Sequence, residues 1–121
     1  MAETETRLDD SILLSIREAI GLEGAEEEFN NDLIIHINSM FNFLTQCGVG
    51  PANGFAINGD SEKWSDFISE DRFNMVKSYM VLKTRVLFDP PTSSFVLSAW
   101  NEQIAEIEWR LKEEAEEGIF H

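Results

Sequence analysis

Three prolines, at 51, 90 and 91, set the hardest constraint on how this 121-residue chain folds. Proline lacks a backbone donor and its ring clashes with the preceding turn, so an unbroken helix does not run through these points. The adjacent pair lies within VLFDPPTSSFVLSAW, residues 86–100, between two apolar patterns of helical period. The residue before a proline is itself pushed out of the helical region, so one helix ends before Pro90. Thr92 or Ser93 then caps the next. Asp89, Pro90, Pro91, Thr92 and Ser93 read as a rigid structural corner that folds the two helices back on each other.

The long stretches between prolines are free to be helical. Ser11 or Asp10 caps a first helix to about Ile20, with Leu13, Ile16 and Ile20 at helical spacing, and Gly21 and Gly24 end it. A second begins in Glu26-Glu27-Glu28 and runs to about Cys47. Its stripe is Leu33, Ile37, Met40, Phe41 and Leu44. Ile34, Ile35 and Phe43 widen that stripe, which predicts a central, surrounded helix. Gly48-Val49-Gly50-Pro51 stops it. Residues 52–62 carry turn signals and read as a loop, flexible enough to meet a partner. Ser61 is the expected cap of a short helical turn over 63–67.

A fourth helix spans about 70–88, with Phe73, Val76, Met80 and Leu87 on one face. Lys83 falls inside this stripe and either reaches water along its aliphatic stem or pairs with a carboxylate. A fifth runs to about Glu117 on Val96, Trp100, Ile104, Ile107 and Leu111. The predicted fold is all-α: a small bundle of four main helices, a short helical turn and one irregular loop. One domain covers 1–121, with 1–9 and 113–121 as flexible acidic ends.

Two residues stand off the fifth helix's stripe. Trp109 lies roughly 150° from its centre and Phe95 is nearly on the same side. Either both pack against another part of the chain, or they form a subunit interface together with Arg110.

Charge and composition exclude several function classes. Nine basic residues face 23 acidic ones, for a net charge of −14. Residues 1–32 hold ten acids and two bases, 33–88 five of each, and 89–121 eight acids and two bases. Duplex DNA is held through Lys and Arg that displace counterions, so this chain is not expected to grip it. The acids serve either as solvated helix faces or as a surface that DNA does not stick to. Cys47 is the single cysteine, so no intrachain disulfide forms, as suits a reducing compartment. No apolar run approaches the roughly 20 residues of a membrane span.

Catalytic patterns are absent. His36 and His121 are the two histidines, which gives a zinc site no support. A phosphate-binding glycine loop and a calcium loop are missing as well. No enzyme activity and no cofactor or metal are expected.

Residues 81–97, VLKTRVLFDPPTSSFVL, followed by Glu102-Gln103-Ile104 and Glu108-Trp109-Arg110-Leu111, resemble the head–tail connector (adaptor, head completion) proteins of long-tailed double-stranded-DNA phages and prophages. The likeness extends more loosely over residues 11–112. It implies a small helical subunit that forms a ring with copies of itself beneath the portal protein. The ring extends the DNA channel, lets DNA pass without specific binding, and joins the head to the next head-completion or tail protein. It implies location at the head–tail junction of the virion, after assembly in the host cytoplasm. An alternative is a small acidic regulatory or anti-host protein that binds a basic partner surface.

Overall fold

The computed structural model describes residues 7–21 and 28–116. Five helices follow in order: α1 (Ile12–Ala19), α2 (Glu28–Gln46), α3 (Trp64–Phe67), α4 (Glu70–Phe88) and α5 (Ser94–Glu116). No strand occurs among the described residues, and the all-α expectation holds.

Each boundary has a local cause. Ser11 caps α1 by accepting the Leu14 N–H, 3.2 Å away. Two crossed bonds close α2: the Gly48 N–H donates to Thr45 and the Val49 N–H to Leu44, each at 2.9 Å. This is a Schellman end, and it needs the left-handed backbone that Gly48 adopts at φ +80°. The cap of α3 differs from expectation. Lys63, not Ser61, is the N-cap, because the Asp66 carboxylate accepts the Lys63 N–H at 2.9 Å.

The core draws on every helix. Ile12, Leu13 and Ile16 of α1 meet Leu33, Ile37, Met40, Phe41 and Leu44 of α2, and Phe73, Val76, Tyr79 and Met80 of α4. Ile104 and Leu111 of α5 close it. Burial of this apolar surface is the main force holding the helices together. Trp64 and Phe67 insert between, and the Phe67 ring packs on Phe41 and Phe55.

Two stripe expectations are corrected. The second helix is a wall and not a surrounded core rod: Ile35 is 68% exposed, and Asn31, Asp32, Ser39 and Asn42 share open surface. On α4, Leu87 is 61% exposed. Its inward row runs Phe73, Val76, Met80, Thr84, and four residues further it reaches Phe88, whose ring meets His36 edge-on at 5.7 Å. Thr84 sits in this row fully buried because its hydroxyl donates back to the Met80 carbonyl at 2.6 Å.

The loop after α2 is pinned rather than free. Asn38 holds Ile57 from both sides: its Oδ1 accepts the Ile57 N–H at 2.8 Å, and its Nδ2 donates to the Ile57 carbonyl at 3.0 Å. Further along, residues 62–65 pair with 8–12 through three backbone bonds: Ile12 to Glu62, Trp64 to Asp10, and Ser65 to Leu8. The acidic ends expected at 1–9 and 113–121 are therefore tied in part. Leu8 is engaged by this pairing, and 113–116 are the last turn of α5. Residues 1–6 and 117–121 lie outside the described residues.

Candidate interaction surface

Helices α4 and α5 form an antiparallel hairpin across the proline corner. Asp89 ends α4 with its N–H donating to the Arg85 carbonyl at 2.8 Å. Ser93 begins α5: its hydroxyl accepts the Val96 N–H at 3.2 Å. Of the two candidates, the cap is Ser93, and Thr92 is exposed. Asp89, Pro90, Pro91, Thr92 and Ser93 thus occupy the bend between the helices.

The bases of α4 point mostly into this hairpin. Lys83 Nζ lies 2.9 Å from Glu108 Oε2 and donates to the Tyr79 hydroxyl at 3.1 Å. Tyr79 in turn donates to Glu108 at 2.8 Å. Of the two readings of Lys83, pairing is the one observed. Arg72 reaches Glu114 at 4.0 Å, and the Arg85 guanidinium stacks over Trp100 at 4.8 Å. Burial pushes the Glu108 carboxyl up, but hydrogen bonds from Lys83 and Tyr79 and the Lys83 charge outweigh it, so its pKa falls below the ordinary value. Burial, then the Glu108 carboxylate, drives the Tyr79 phenol well above its ordinary value.

The outer face of α5 is different. Phe95 is 83% exposed and Trp109 62%. Among the described residues, nothing covers most of either ring. Glu102 stands midway, seven residues from each, so the three form one stripe with about 20° of drift per step. It is about 21 Å long at 1.5 Å per residue. Ser98, Ala99 and Ala105 between them are exposed and small, leaving the large rings proud. Arg110 borders the stripe, and its guanidinium holds Glu106 at 3.0 Å. The three residues singled out from sequence therefore sit together on open surface, with Arg110 already paired inside its own helix.

Other features carry less chemistry. His36 is half-buried, and burial followed by the Lys83 charge lowers its pKa. Cys47 is a buried thiol whose pKa burial raises. Among the described residues no group of three His, Cys, Asp or Glu side chains could hold a metal ion, and no helix is long and apolar enough to cross a membrane.

A family comparison decides the larger question. The family described as "Phage connector protein" matches residues 12–118. This chain belongs to that family. The connector is accordingly a structural component of a phage particle. No curated protein and no solved structure matches it. The matched span covers the whole helical bundle, including the α4–α5 hairpin and the exposed stripe. Two features of the connector escaped sequence reasoning. The Asn38 clamp joins residues 19 apart, a pairing without a local pattern. The Tyr79–Lys83–Glu108 cluster had half a signal in the position of Lys83 within an apolar row.

Proposed function

We propose that copies of this connector assemble into a ring beneath the portal, at the head–tail junction. There the ring extends the DNA channel and offers a platform to the next head-completion or tail protein. The observation that carries the reading is the exposure of Phe95 and Trp109 on one side of α5. Large exposed aromatics beside an arginine are what interface anchors are made of. A ring requires a patch that meets a different patch on its neighbour, and this stripe is one such patch. The net charge of −14 favours a channel wall that repels phosphates, so DNA slides through without being held. Three of the four bases on α4 are already engaged by α5, which leaves no row of cations for a backbone. The role is structural and non-catalytic.

The test is assembly on portal-bearing heads made without this protein. Purified connector added to such heads forms a ring at one vertex, visible by electron microscopy. Trp109→Ala and Phe95→Ala remove the ring while the isolated subunit keeps its helical spectrum. Variants that still load onto heads as wild type does would overturn the assignment of this stripe.

A further inference from the structure

The proposed ring needs a second patch, and one cation marks it. Of the α4 bases, Arg72, Lys83 and Arg85 turn to α5, but Lys77 has no ion pair or hydrogen bond among the described residues. It lines a groove of about 350 Å³ between three helices. Ser15 and Ala19 of α1, Ser78, Val81 and Leu82 of α4, and Gln103 of α5 line the rest of it. Ala19, Val81 and Leu82 give the groove an apolar part beside an ammonium with no described ion pair, which suits a partner that brings an apolar side chain and a carboxylate together.

The outer stripe of α5 brings that pair. Trp109 is exposed, and Glu102, one carboxylate on the stripe, makes no ion pair or hydrogen bond among the described residues. Glu106, its neighbour, is taken by Arg110. Spacing agrees too. Glu102 and Trp109 are about 10.5 Å apart along α5, and Lys77 and Leu82 about 7.5 Å along α4. The difference is within the reach of a lysine side chain. We infer that this groove receives the α5 stripe of a second copy of the chain, Trp109 seating on Val81 and Leu82 while Glu102 pairs with Lys77. The inference rests on the ring reading above and names its complementary surface. Groove and stripe are different patches of one subunit, so the contact is head-to-tail and propagates around a ring.

Charge exchange tests it in the same head-loading assay. Lys77→Glu and Glu102→Lys each lower ring occupancy at least tenfold, because each sets like charges against each other. The double variant restores occupancy to within about threefold of wild type. Lys77→Gln and Glu102→Gln give smaller losses of the same sign, and circular dichroism melts confirm that all variants fold. Normal loading by either charge-reversed single variant overturns the pairing, as does a double variant that fails to recover. Trp109→Ala runs in parallel. If it abolishes loading while Lys77→Glu does not, the groove is wrong and the ring reading stands. If neither affects loading, the stripe itself falls.

Discussion

Lys83 and Glu108 meet at 2.9 Å across the α4–α5 hairpin, and Tyr79 donates to the same Glu108 oxygen. One carboxylate thus satisfies an ammonium and a phenol that would otherwise face an apolar seam. The Lys83 ammonium also stands 5.4 Å from the Tyr79 ring centre and 5.8 Å from that of Phe43, so aromatic faces flank a side chain that stays partly open to water.

This cluster shapes the pH dependence of stability. Glu108 has a folded pKa below its ordinary value of 4.5, so it stabilises the fold above that pH. The contribution is lost as pH falls through the depressed folded value. Tyr79 is displaced upward, so its contribution is whole below its ordinary value of 10 and declines as pH rises past it. Glu108→Gln should flatten the acid limb and cost about 1–2 kcal/mol at neutral pH. Thermal melts from pH 3 to 11 check both limbs. An unchanged acid limb in Glu108→Gln would assign it to other carboxylates.

Gly50 predicts a sharp local failure. Its backbone sits at φ +85°, and a Cβ there would overlap the Phe67 ring. Gly50→Ala therefore combines left-handed strain with displacement of a core aromatic. It should cost about 2–4 kcal/mol. Gly21 has a similar φ of +80° but open space around it, so Gly21→Ala should cost only about 1 kcal/mol. Denaturant titration of the two variants separates strain from collision.

Asn38 predicts how firmly the loop after α2 is held. It supplies both a donor and an acceptor to the backbone of Ile57, whose side chain is fully buried. Asn38→Ala leaves both backbone groups without these partners, at about 2–3 kcal/mol. Limited proteolysis should then cut within 52–60 faster than in wild type. A loop that resists cleavage in the variant would show that Phe55 and Ile57 hold it by packing alone.

These cases show what sequence could and could not reveal. The corner, the caps at Ser11 and Ser93, and the glycine end of α2 were legible because each rests on neighbours in the chain. The stripe of Phe95 and Trp109 was legible as an angle, but not as a surface: exposure depends on whether another element covers it. Ile35 misled for the same reason. It widens an apolar pattern, yet among the described residues most of its surface stays open. The Lys77 groove was hidden, since it is shaped by α1, α4 and α5 together.

The proline corner should act through both the unfolded and folded chain. Pro90 and Pro91 restrict the unfolded ensemble and stop α4 at Asp89. Replacing both with alanine should cost about 1–2 kcal/mol. It also lets helical geometry extend past residue 89, which loosens α4 from α5. Melting temperature and head loading should fall together. A double variant as stable as wild type yet unable to load would make the corner a contact surface instead of a hinge.

The three tryptophans offer the cleanest measure of inside against outside. Trp64 is fully buried, Trp100 lies half-buried under Arg85, and Trp109 stands in the open. Trp64→Ala removes a core side chain and leaves a cavity, so it should cost roughly 3–5 kcal/mol. Trp109→Ala removes an exposed ring and should leave the isolated subunit within about 1 kcal/mol of wild type. Acrylamide should quench Trp109 strongly in the free subunit, and a Trp64→Phe, Trp100→Phe variant isolates that signal. In loaded heads the same signal should be protected, because the neighbouring subunit covers the ring. Trp109 that stays equally quenchable after loading would place it outside the joint, whatever its effect on assembly.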